Sequence, residues 1–125
     1  MHLLDANVII AIFREWENDH KEAANFASSL TEFAISDYVL GEILTVMKIK
    51  DGLQEAKAAL DYLINNKKVH LARLTQDELA RTIAFFHDSK TDISFVDASL
   101  IVMAKGRDMK LATLDKNLVK AGAEY

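Results

Sequence analysis

Short apolar runs alternate along the chain with longer segments whose apolar residues recur at helical spacing. Met1 to Leu4 is an apolar run closed by Asp5, which reads as a buried strand. Asn7 to Glu15 carries Val8, Ile9, Ile10, Ile12 and Phe13, dense enough for a largely buried helix, and His20 to Leu30 places Ala23, Phe26, Ala27 and Leu30 on one helical face. Phe33 to Ile35 is a second short strand, ending at Ser36 and Asp37, either of which can cap the helix Tyr38 to Lys50; Asp51-Gly52 closes that helix. Leu53 to Ile64 is amphipathic, with Ala56, Leu60, Leu63 and Ile64 on its apolar side.

Lys68 to Leu74 alternates Val69, Leu71 and Arg73 against His70 and Ala72 and is expected as a third strand. Thr75-Gln76-Asp77-Glu78 has the spacing of a capping box for a helix to about Asp88. Ser94 to Lys105 is a further apolar helix stopped near Gly106, Lys110 to Thr113 a strand, and Lys116 to Ala121 a last helix. Ala123 to Tyr125 amounts to a short edge strand at most. Strands alternating with helices over residues 1–125 predict one domain, a three-layer α/β/α sandwich around a central parallel sheet. In such a sheet ligands bind beyond the carboxyl ends of the strands, so acids that immediately follow strands should share a crevice.

Four acids fit that rule or stand out against their surroundings. Asp5 ends the first strand and Asp115 follows the Lys110 to Thr113 strand by two residues. Glu42 sits one turn into its helix among Tyr38, Val39, Val46 and Ile49, and Asp97 lies between Phe95-Val96 and Leu100-Ile101-Val102. A carboxylate in an apolar stripe is costly unless its charge is compensated. Mg²⁺ or Mn²⁺ would compensate it, since these ions prefer oxygen ligands, activate water near neutral pH and stabilise charge building on a phosphate. Each acid has a simpler use as well. Asp97 completes S-x-x-D with Ser94, Asp115 can cap the last helix, and Glu42 can face solvent.

Composition changes this picture little. The 125-residue chain has 50% hydrophobic and 27% charged residues, enough for a sizeable core. Its net charge of −4 comes from 19 acids against 15 Lys plus Arg; setting aside the four acids leaves 15 against 15, so composition neither favours nor opposes a nucleic-acid substrate. The lack of cysteine excludes disulfides and thiolate-zinc sites. No basic n-region precedes the first apolar stretch and Val8 to Phe13 is too short to span a bilayer, so a soluble, cytoplasmic protein is expected. His2, His20, His70 and His87 lack metal-ligand spacing, while Asp37 and Asp92 read as caps, Asp92 being a possible peripheral fifth acid. Lys48, Lys50, Lys105, Arg107, Lys110 and Lys116 are available to rim the crevice. No Gly-rich phosphate loop or G-x-S-x-G is present, so nucleotide-triphosphate hydrolysis and serine chemistry lack support.

The segments LLDANVII, ISDYVLGEI, ISFVDASLI and LATLDKNL resemble the PIN-domain pattern in order, spacing and context, and the length is similar to VapC-type toxins of toxin–antitoxin pairs. The resemblance implies a Rossmann-like fold and Mg²⁺- or Mn²⁺-dependent cleavage of RNA by water, leaving a 5′-phosphate and a 3′-hydroxyl. It implies Asp5, Glu42, Asp97 and Asp115 as the catalytic and metal-binding acids, with Asn7 and Thr113 as polar residues that orient a ligand, a water or a neighbouring carboxylate. It also implies a homodimer and a cognate antitoxin. Ile12, Phe13 and Trp16 are candidates for such an interface. Ala6 departs from the Thr common in the first motif, and the end at Tyr125 leaves a last strand short. A response-regulator-like receiver is one alternative, but it needs a phosphoacceptor Asp after the central strand, and only Asp77 follows Lys68 to Leu74, inside a helix start. A non-catalytic PIN-like binding module is the other; such a module is expected to lose acids, and all four are present.

Overall fold

The computed structural model describes residues 1–125. Four parallel strands, β1 (His2–Leu4), β2 (Phe33–Ser36), β3 (Val69–Ala72) and β4 (Lys110–Ala112), form one sheet in the order β3-β2-β1-β4. Seven helices flank it: α1 (Ala6–Phe13), α2 (His20–Ser29), α3 (Asp37–Asp51), α4 (Leu53–Asn65), α5 (Gln76–Asp88), α6 (Phe95–Gly106) and α7 (Lys116–Gly122). The expected α/β/α sandwich with a central parallel sheet is the fold observed.

Strand order fixes where a ligand can sit. The chain steps outward from β1 to β2 to β3, then returns through α5 and α6 to place β4 on the other side of β1. The β1–β4 boundary is therefore the point at which connection direction reverses, and the crevice beyond the carboxyl ends of these two strands is the expected site. Right-handed crossovers put the helices of the outward steps on one face and those of the return on the other. The helix contacts divide in the same way, α1 with α2 and α3, α3 with α4, and α6 with both α5 and α7.

Register across the switch point pairs Leu3 with Leu111 and Leu4 with Ala112, and the Asp5 amide continues the ladder by donating to the Ala112 carbonyl at 2.9 Å. Leu3, Leu4 and Ile35 are fully buried, each contributing roughly 1.5–3 kcal/mol through removal from water. They pack against Ile9 of α1, Ile43 of α3 and Leu100, Ile101 and Met103 of α6 in one continuous core. Gly52, at φ +98°, both ends α3 and begins α4, a backbone conformation that favours glycine.

Several expectations are corrected. α1 ends at Phe13 rather than Glu15, with Arg14 as its C-cap. Ile12 and Phe13 are partly buried against the core, while Trp16 stays exposed beneath the Arg14 guanidinium, 5.0 Å from its ring centre. β3 is an edge strand in which Val69 packs on the core and His70 is exposed, as expected, but Leu71 is half exposed and Ala72 buried, so the alternation fails at the strand's end. Ala123–Tyr125 forms no strand; the chain turns after α7 and Glu124 accepts hydrogen bonds from the Ser89 and Thr91 hydroxyls. No helix is long and apolar enough to cross a membrane.

Candidate active site

Asp5, Glu42, Asp97 and Asp115 line one open cleft of about 310 Å³, together with Ala6, Asn7, Ile10 and Ser94. The sheet and three helices bring them there. Asp5 leaves β1 and caps α1, Glu42 lies in the second turn of α3, Asp97 is in the first turn of α6, and Asp115 caps α7 just past β4. None of Lys48, Lys50, Lys105, Arg107, Lys110 or Lys116 lines the cleft. Arg107 is paired with Glu78, and the Lys105 ammonium donates to the Gly122 carbonyl at 2.5 Å.

Asp5 is the buried acid, 5% exposed. Its Oδ1 accepts from the Ala6 amide at 2.7 Å and its Oδ2 from the Thr113 hydroxyl at 2.7 Å. Thr113 in turn accepts from the Asn7 side-chain amide at 3.2 Å and from the Asp115 amide at 3.0 Å. That hydroxyl has one hydrogen and two lone pairs, all three of them used. The Asn7 carbonyl oxygen receives the Leu114 amide at 3.2 Å, which fixes the orientation of its amide. Asn7 and Thr113 thus hold Asp5 and the β4–α7 turn in register across more than a hundred residues of sequence.

The other acids have simpler local partners, and these coexist with the cleft. Asp97 closes a capping box: its Oδ2 accepts from the Ser94 amide at 3.1 Å, and its own amide donates to the Ser94 hydroxyl at 3.0 Å. Asp115 caps α7 through the Asn117 amide at 2.8 Å. Glu42 is exposed, off the buried stripe of Val39, Ile43 and Met47, so the expected apolar surround is only partial. Asp92 does not reach the cleft and Ser94, not Asp92, caps α6. Ser36 caps α3, leaving Asp37 to accept from the Tyr38 and Leu74 amides. Ser94 is a wall residue that only its helix-start position announces in the sequence.

Electrostatics follow from this crowding. Burial is the largest cause pushing the Asp5 carboxyl above its usual range; the Thr113 and Ala6 hydrogen bonds oppose it, and Asp97 and Asp115 add to it. Glu42 is pushed up by partial desolvation first, then by Asp5 and Asp97. Two carboxyls pushed up by burial and by their acidic neighbours, in a cleft lined by no basic side chain, define a place where positive charge is favoured. Oxygen donors alone suit Mg²⁺ or Mn²⁺ over softer metals. No three of these side chains close into a ligand group by themselves. Mg²⁺ does not require such a cage, since one or two carboxylates with water and substrate phosphate suffice.

A parallel sheet with acids gathered at its switch point is the architecture of a carboxylate-cleft α/β protein. The chain belongs to the PIN-domain family, whose profile matches residues 2–124. No curated protein matches it. Among solved structures it is similar to VapC20 of Mycobacterium tuberculosis, a sarcin-ricin loop cleaving toxin, with a TM-score of 0.89, 21% identity, and coverage of 98% of this chain and 95% of that one. It is also similar to FitAcB of Neisseria gonorrhoeae, with a TM-score of 0.75, 19% identity, and coverage of 98% and 94%. A toxin–antitoxin complex of Klebsiella pneumoniae gives a TM-score of 0.67, 22% identity, and coverage of 92% and 87%.

Proposed function

We propose that the chain is a metal-dependent endoribonuclease, the toxin of a toxin–antitoxin pair, with Asp5, Glu42, Asp97 and Asp115 as its acidic centre. The observation that carries this reading is the convergence of four carboxylates, without a basic counter-charge, on one cleft at the sheet's switch point. Bound Mg²⁺ or Mn²⁺ supplies charge neutralisation and activation of water near neutral pH. Asp5, oriented by Thr113 and Ala6, would be the fixed ligand of the set. Asp97 and Asp115 hold their backbone partners with one oxygen each and keep the second for a ligand. Glu42, free of such partners, completes the opposite wall. The resemblance to VapC20, a sarcin-ricin loop cleaving toxin, supports an RNA substrate, and the Klebsiella toxin–antitoxin complex supports an antitoxin as partner. Exposed Trp16 and Ile49 suit a homodimer or antitoxin contact.

A receiver-domain reading finds no support in this geometry. Asp77, the first Asp after β3, pairs with Arg81 on the surface of α5, and the cleft lies at β1 and β4.

The direct test is incubation of the purified chain with RNA, with Mn²⁺ or Mg²⁺ and with chelator. Cleavage is expected only with metal, leaving 5′-phosphate ends; chelator-insensitive cleavage or 2′,3′-cyclic phosphate products would sink the mechanism. A second prediction isolates the Thr113 network. Thr113→Val loses the hydroxyl that orients Asp5 and should lower metal affinity or activity roughly 10- to 100-fold, as loss of a ligand's supporting partner commonly does. Thr113→Ser keeps the hydroxyl and should stay close to wild type. Equal activity in all three proteins would remove Thr113 from the centre.

A further inference from the structure

Three aromatic rings stand beside the acidic cleft without belonging to the core. Tyr38 lies one turn before Glu42 on α3, Phe95 follows Ser94 directly and precedes Asp97 by two residues, and Phe86 comes from the last turn of α5. Their ring centres are 6.4 Å apart for Tyr38–Phe95 and 5.7 Å for Phe86–Phe95, the latter pair meeting edge to face. Phe86 is 43% exposed, and Tyr38 and Phe95 are half-buried. Neighbouring Phe85 and Val96 pack on the core, while Phe86 and Phe95 pack on each other outside it. Exposed apolar groups gathered in one place mark a contact surface.

The cleft itself says what that surface must supply. Its lining has four carboxylates and no basic side chain, so apart from a bound metal the cleft wall itself offers an RNA strand no charge to hold its phosphates. Stacking on aromatic faces is the main alternative, and it tolerates any base because every base has a π-face. We propose that Tyr38, Phe86 and Phe95 form a ledge on which an unpaired base of the RNA stacks while its strand enters the acidic cleft. The proposal deepens the ribonuclease reading and rests on it. The ledge requires an unpaired base, since a duplex hides the base faces. Continuity favours RNA over a protein partner here: Tyr38 is one helical turn from Glu42 on α3, and Phe95 lies in sequence between Ser94 and Asp97 of the cleft wall.

The test compares wild type with Tyr38→Leu, Phe86→Leu and the double variant, and with Tyr38→Phe and Phe86→Trp, after circular dichroism and melting confirm folding. The probe is a single-stranded oligoribonucleotide with one 2-aminopurine, whose fluorescence falls when the base stacks. The leucine variants should raise KM for cleavage roughly 10- to 100-fold, with little change in kcat, and lose the fluorescence quenching; the aromatic replacements should keep both. If wild type cleaves RNA but the leucine variants match it in KM and quenching, the ledge is overturned and the ribonuclease reading stands. A fall in molecular mass by light scattering with RNA affinity unchanged would also overturn it, by assigning the rings to a protein interface. Wild type that neither cleaves nor quenches overturns both.

Discussion

Asp5→Asn should abolish RNA cleavage while leaving the fold intact. Loss of a supporting partner around a metal ligand commonly costs 10- to 100-fold, so removing the best-oriented ligand should cost well over about 100-fold. The substitution keeps size and one oxygen for the Ala6 amide, but it turns either a neutral oxygen or an NH₂ group toward Thr113, whose lone pairs are already occupied by Asn7 and Asp115. Metal affinity should fall with activity, read as loss of the Mn²⁺-induced rise in melting temperature, a rise worth about 2.7 kcal/mol at a hundred times the dissociation constant. The same variant has a pH signature in chelator. The Asp5 pKa is raised in the folded protein, so the native state holds this proton more tightly than the unfolded chain does. Its contribution to stability is therefore full below the unfolded value and is lost as pH rises through the folded one. Asn has nothing to lose, so the stability of Asp5→Asn relative to wild type should improve from acid pH toward neutrality. Retained cleavage, or a relative stability independent of pH, would remove Asp5 from its assigned role.

The convergence of the four acids was more legible in the sequence than the contacts around them. Asp5 and Asp115 were legible because each follows a strand, and a parallel sheet collects strand ends at one edge of the fold. Asp97 posed a choice between capping α6 and facing the cleft, and it does both. A first-turn carboxylate needs only one oxygen for its cap, so the same position that starts a helix can also present a ligand. Glu42 showed the limit of periodicity: the apolar residues around it are real, but the helix is turned so that Val39, Ile43 and Met47 take the core and Glu42 faces out. The expected inward Leu71 failed for a related reason, because at an edge strand pairing with β2 and the cover available set the buried side. Local spacing gave no sign of Thr113 joining Asp5, 108 residues away, or of Arg107 reaching back to Glu78. Such contacts depend on which strands become neighbours, and that is settled only by the long return from β3 to β4.

Arg107→Ala should be the most destabilising single change outside the core, at about 3 kcal/mol, the low end of the cost of stranding one partner of a buried ion pair. Glu78 is 8% exposed, and its two oxygens receive the Arg107 guanidinium at 2.8 and 2.6 Å, a bidentate geometry. The same carboxylate closes the Thr75 capping box, and Arg107 also donates to the Arg73 carbonyl at 2.7 Å. One pair thus ties the start of α5, the end of α6 and the segment after β3 together, and without the arginine Glu78 must be buried with its charge unpaired. Arg107→Lys should recover only part of the loss, since an ammonium cannot match the two-pronged contact. Replacing both partners with leucine should cost less than Arg107→Ala, because no charge is then left stranded. Acid supplies an independent readout. The arginine holds the Glu78 pKa down to about 2 from its usual 4.5, so the pair's contribution is full above the unfolded value and is lost as pH falls toward the folded one. That depression corresponds to at most about 3 kcal/mol. Wild type should lose stability on acidification from pH 5 to pH 2 more steeply than Arg107→Ala in urea melts, and parallel pH profiles with a loss under about 1 kcal/mol, the range of an exposed pair, would show that this bridge does not hold α5 to α6.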